Sequence, residues 1–119
     1  MSGVVGEYFE ALRTQDWARL ATCLAADVHR VGPYRDVVDG QQAYVDFLAR
    51  VIPTLKGYDL KVARVRFFDA RSAVAEISEF ADVRGVRTEF PEVILFALDT
   101  AGVIAGIDIY LKQAPPPRP

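Results

Sequence analysis

The chain predicts an α+β domain, and three observations carry that expectation. Its N-terminal half repeats apolar residues at helical spacing, its C-terminal half alternates them at the two-residue period of strands, and Pro53 and Gly57 separate the two regimes. At 119 residues, 51% of them hydrophobic, the chain can bury one core and is too short for two ordinary domains.

Over residues 4–12, Val5, Tyr8, Phe9 and Leu12 recur on one face of a first helix. Asp16 is placed to cap a second, which turns Trp17, Leu20, Ala21 and Leu24 inward and forms a hairpin with the first. Residues 28–31 read as a short extended run. Gly32-Pro33 breaks it and starts an exposed connection through Tyr34, Arg35 and Asp36. After Asp39-Gly40, Tyr44, Phe47, Leu48, Val51 and Ile52 form the wide apolar face of a third helix, ended by Pro53 and Gly57.

Four strands follow, over residues 58–68, 73–83, 89–98 and 103–113, joined by hairpin connections at 69–72, 84–85 and 99–102. In the first, the apolar phase changes from Leu60 and Val62 to Val65 and Phe67. That change predicts a bulge bending the sheet. The third is apolar on both phases, with Ile94, Phe96 and Leu98 on one and Val93, Leu95 and Ala97 on the other, so both faces need cover. One face is expected to meet the helices and the other a second copy of the chain, unless a loop or the tail covers it. Residues 1–113 are expected to form the single domain, and the proline-rich 114–119 an extended tail.

Charge and cysteine content narrow the function. A net charge of −2 supplies no field for phosphate backbones, so nucleic-acid binding is not expected. The lone Cys23 reads as a small buried hydrophobe, and with one cysteine and one histidine no metal cluster of recognisable spacing exists. No glycine-rich phosphate cradle follows a strand, so no cofactor is expected. The N-terminus has no basic region leading into a long apolar run, and a soluble cytoplasmic protein is expected.

The opening Val4-Val5-x-x-Tyr8-Phe9-x-x-Leu12, then Asp16-Trp17 and Ala26-Asp27-Val28, resembles the nuclear-transport-factor-2-like superfamily, especially its ketosteroid-isomerase and SnoaL-like members. The resemblance implies a cone: a curved antiparallel sheet wrapped around three N-terminal helices, with a ligand pocket at the open end. It also implies a homodimer through the outer sheet face. Carried over residue by residue, it places Tyr8 on the isomerase's oxyanion-hole tyrosine, Gly32 on its general-base aspartate, Val93 or Ile94 on its proton-donating aspartate, and Leu48 on the tyrosine that supports the oxyanion hole. With one of the three chemical groups retained, ketosteroid isomerase activity itself is not expected. Against limonene-epoxide hydrolases, the arginine and aspartates fall on Ser78, Phe80 and Ile109, with Asp108 one residue off and on the opposite sheet face.

Alternation puts Arg30 on the same face as Gly32, where the resemblance implies pocket residues, and Glu76, Ser78, Phe80 and Asp82 together on an inward face. The expected catalytic set is Tyr8 as oxyanion donor, Arg30 as anchor for an acidic or carbonyl group, and Glu76 as proton carrier; the competing reading makes Arg30 and Glu76 a structural ion pair. The substrate-binding set is Trp17, Tyr34, Asp36, Phe47, Ser78, Phe80, Glu92 and Ile109, with Glu92 an alternative acid or base and Trp17 and Phe47 core aromatics first. His29, on the phase opposite Arg30, reads as a surface or interface residue. Three functions fit: a cofactor-independent enzyme acting on an apolar oxygenated molecule (polyketide, terpenoid or steroid-like) by proton transfer, cyclisation or water addition; a ligand-binding protein without chemistry; or a protein-interaction subunit.

Overall fold

A computed structural model describes residues 3–113. The expected proline-rich tail at 114–119 lies outside the described residues. Helix α1 (Gly3–Thr14) and helix α2 (Trp17–Thr22) form the hairpin, with the Asp16 side chain accepting from the Arg19 amide at 3.2 Å as the α2 cap. Strand β1 (Leu24–Val31), the short strand β2 (Val37–Asp39) and helix α3 (Gln41–Val51) follow, α3 running into a 3₁₀ turn at Ile52–Thr54. Strands β3 (Asp59–Asp69), β4 (Ser72–Val83), β5 (Val86–Leu98) and β6 (Ile104–Leu111) complete one six-stranded sheet of order β2-β1-β6-β5-β4-β3.

Two features depart from the sequence reading. The sheet is mixed, because β1 lies parallel to β6, and that pairing draws Leu24 out of the second helix and into a strand opposite Ile104. The Ile104 amide donates to the Cys23 carbonyl at 2.8 Å, a bond the local sequence could not announce. The connection after Gly32 contains β2, which pairs antiparallel to β1 through Arg30 opposite Val38.

The expected bulge is present in β3, where the pairing with β4 shifts between Val62 and Arg64. Leu60 and Val62 pack on the core before it and Val65 after it, so one extra residue keeps the apolar side chains facing in while the strand bends. The β4–β5 hairpin turns on Arg84 and Gly85 at φ 52° and 78°, the left-handed pair that matches strand twist. The core fills the concave side of the sheet: Tyr8, Phe9 and Leu12 of α1 and Tyr44, Val45 and Leu48 of α3 meet Ala73, Ala75, Ile77, Ile94, Phe96 and Ile107. Tyr8, Phe9 and Phe96 stack edge to face with centroids 5.4–5.6 Å apart. Among the described residues, no helix is long and apolar enough to cross a membrane.

Candidate active site

The core does not fill the cone to its mouth. A cavity of about 460 Å³ remains between α1, α3, the loop after β1 and the inner face of β4, β5 and β6. Its wall is mainly apolar, and among the polar side chains in it are five from five different elements: Tyr8 from α1, Tyr44 from α3, Arg30 from β1, Glu79 from β4 and Glu92 from β5. Tyr58, just before β3, borders them.

Strand pairing explains the carboxyl groups. Glu79 on β4 lies opposite Phe90, and Glu92 on β5 lies opposite Ile77, so the two glutamates are diagonal neighbours on one face. The Tyr58 hydroxyl donates to Glu79 Oε2 at 2.5 Å, and Glu92, only 8% exposed, lies diagonally beside Glu79, close enough for its protonated carboxyl to donate to it. Burial, with the neighbouring Glu79 carboxyl adding to it, holds the Glu92 carboxyl far above the usual carboxylate range, whereas Arg30 pulls only weakly the other way. Glu92 therefore carries a proton at neutral pH and presents it to Glu79. Burial, and then Glu79, likewise push the Tyr58 hydroxyl up.

The second polar group is a tyrosine pair. The Tyr8 and Tyr44 hydroxyl oxygens are 2.6 Å apart, and each residue is 1% exposed. Burial raises both, Tyr44 to about 12, with Tyr8 and Arg30 opposing the shift at Tyr44. Arg30 itself is 6% exposed. Its guanidinium lies 4.8 Å from the Phe47 ring centroid and 5.7 Å from that of Tyr44, and its Nη1 donates to Asp36 Oδ2 at 2.7 Å.

Of the residues expected from sequence, Tyr8, Arg30, Tyr34, Phe47, Phe80, Glu92 and Ile109 line the cavity, and Asp36 reaches it through Arg30. Tyr34 is 71% exposed at the mouth. Trp17 packs against the core and does not line the cavity. Glu76 and Ser78 are on the wrong face. Glu76 points outward and pairs with Arg64 at 2.5 Å, both half exposed, and the Ser78 hydroxyl donates to Glu89 on the outer face. Neither the catalytic role nor the Arg30 pairing expected of Glu76 survives that placement. His29 is exposed and paired with Asp39, and Asp108 bonds Tyr110, as their outward phase requires.

The error is one residue of register in β4. Ala73, Ala75, Ile77 and Ala81 are the buried set, so Glu79 shares their face and Glu76 does not. The signal was present: that phase carries one polar residue in six, the other carries Ser72, Glu76, Ser78 and Asp82. Tyr44, read only as a core residue, was missed too, although it lies one helical turn before Leu48. Among the described residues no group of three or more His, Cys, Asp or Glu is arranged to hold a metal ion.

A family model of the SnoaL-like domain matches residues 5–107. No curated protein matches the sequence. Solved structures do match in fold. A candidate ketosteroid isomerase from Kribbella flavida superposes with a TM-score of 0.82 at 20% identity, covering 98% of this chain and 80% of its own. An LEH-like epoxide hydrolase of M. tuberculosis gives 0.78 at 19% identity, covering 92% and 80%. A candidate SnoaL-like polyketide cyclase from Shewanella denitrificans gives 0.79 at 14% identity, covering 92% and 88%. At such identities these likenesses speak to fold alone.

Proposed function

The chain belongs to the SnoaL-like domain family, and we propose that it is an acid–base enzyme acting on an apolar, oxygenated small molecule of polyketide, terpenoid or steroid-like type. The observation that carries this reading is the Glu79–Glu92 pair: two carboxyl groups side by side on neighbouring strands in the wall of an apolar cavity, one of them held protonated at neutral pH by burial.

The pair can run a closed proton cycle. Glu92 gives its proton to a substrate oxygen while Glu79 takes one from the adjacent carbon or from an attacking water; the proton then passes from Glu79 to the neighbouring Glu92 and restores the start. Tyr58 holds Glu79 in place. Tyr8 and Tyr44 supply O–H groups for an oxygen that gains negative charge, with Arg30 biasing Tyr44 as donor. Two groups absent from their expected positions thereby have near neighbours in the cavity: Glu92 beside Val93, and Tyr44 one turn from Leu48. Isomerisation, cyclisation and epoxide opening all need this donor and acceptor, and structural relatives include a candidate cyclase and an epoxide hydrolase.

The test is exchange of α-hydrogens of cyclic enones in deuterium oxide, followed by NMR, together with epoxide opening, for wild type, Glu79→Gln and Glu92→Gln. Wild-type turnover abolished in both variants, with ligand binding retained, is the expected result. Binding without turnover in the wild type would replace the enzymatic reading by a carrier.

We further propose that a second copy covers the outer sheet face, where Val93, Leu95 and Tyr110 are 37%, 39% and 55% exposed around Ala97. Sedimentation of wild type and Leu95→Glu tests it; a monomeric wild type refutes it.

A further inference from the structure

Arg30 is the one cation among the described residues that is more than nine-tenths buried, and it lines the ligand cavity. Its compensation is thin. Nη1 bonds the Asp36 carboxylate, Nε has no partner, and the Phe47 and Tyr44 rings fix the plane of the guanidinium without neutralising it.

The carboxylate that pairs with it comes from the mouth. Asp36 ends a tight loop in which the Gly32 amide donates to the Asp36 carbonyl at 2.7 Å and the Arg35 amide to the Gly32 carbonyl at 3.0 Å. The Asp36 side chain is 45% exposed, and it reaches Arg30 across the space a side chain at position 32 would take: a Cβ there would lie 2.3 Å from Asp36 Oδ1. Glycine at 32 is what lets an acid from the loop dock on the buried arginine.

We propose that the substrate is an apolar carboxylic acid, that Arg30 anchors its carboxylate, and that Asp36 is the internal carboxylate holding the anchor until the substrate displaces it. Exchange of one anion for another keeps Arg30 paired throughout, so no buried charge is stranded. Asp36, already half in water, loses little by turning outward. The incoming carboxylate has two oxygens for the Nη1–Nη2 fork, where Asp36 bonds Nη1 alone. A neutral ester or amide cannot displace Asp36 without leaving the guanidinium uncompensated. This inference rests on the reading of the cavity as a ligand site and is independent of which glutamate moves the proton.

Calorimetric titration at neutral pH with 2-naphthylacetic acid and 2-naphthylacetamide tests it on wild type, Asp36→Asn, Gly32→Ala and Arg30→Gln. The acid is expected to bind at least about tenfold tighter than the amide, because a charge-assisted paired contact is lost in the amide. Asp36→Asn removes the competing anion, and Gly32→Ala expels it sterically; both are expected to tighten the acid several-fold, roughly the gain from deleting an internal competitor, and to leave the amide unchanged. Arg30→Gln should abolish the preference. If Asp36→Asn folds poorly, Gly32→Ala retains Asp36 and reads the same sign. Equal binding of acid and amide, weaker acid binding in both loop variants, or no binding of the acid at all overturns the proposal. Glu92→Gln separates the two ideas: acid preference kept while exchange is lost leaves this anchor standing, and preference absent while wild-type exchange persists removes the anchor alone.

Discussion

Glu92→Gln reports on the site through stability as well as through turnover. Folded Glu92 is protonated well past neutrality because burial and the Glu79 carboxyl disfavour its anion, whereas the unfolded chain releases that proton near the ordinary glutamate value of about 4.3. A raised carboxyl pKa means that the folded state binds more protons than the unfolded one across this window. Its contribution is therefore fully present below the unfolded pKa and is lost as pH rises. The slope approaches about 1.4 kcal/mol per pH unit, so between about pH 5 and pH 7 this one group lowers wild-type stability by a few kcal/mol. Glutamine keeps the shape and an N–H for Glu79 but cannot ionise, so the Glu92→Gln curve lacks that component. Urea unfolding at a series of pH values measures it as the difference between the two slopes. Parallel curves would show that Glu92 is ionised in the folded protein, and the proposed proton cycle would lose its donor.

The remaining predictions concern the supports and the outer face. Tyr44→Phe leaves the fully buried Tyr8 hydroxyl without its partner and should cost about 1–3 kcal/mol in denaturant unfolding; the double variant with Tyr8→Phe should cost less than the two singles added, and strict additivity would mean the hydroxyls do not interact. Glu76→Gln cuts only a half-exposed pair with Arg64 and should change stability by less than about 1 kcal/mol with turnover intact, so loss of activity would return Glu76 to the site. Ala75→Leu puts a large side chain where the exposure is 0% and should cost about 1–3 kcal/mol by overpacking. A thermal melt unchanged by that substitution would contradict the inward phase assigned to β4.

Local chemistry made most elements legible. Trp17 and Leu20 follow an acidic cap, Arg84-Gly85 sits between two alternating runs, and the phase change between Val62 and Val65 marks the bulge, because caps, turns and pleat alternation act over a few residues. The family resemblance in the first helix pointed to Tyr8, and its side chain stands in the cavity wall. Alternation together with the resemblance pointed to Arg30, which shares the face of Gly32 and is buried on β1 with Val28.

Glu79 and Glu76 mark the boundary of that legibility. Composition, helical and strand periods, and the order of elements follow from the chain itself, because each is decided by residues in reach of one another. Which phase of β4 faces inward, the parallel contact that draws Leu24 into a strand, and the diagonal meeting of Glu79 with Glu92 depend on partners tens of residues away. A strand repeats every two residues, so one step of register exchanges its faces entirely; the polar imbalance between the two phases of β4 points to one of them, and packing of Ala73 and Ala75 into the core fixes it.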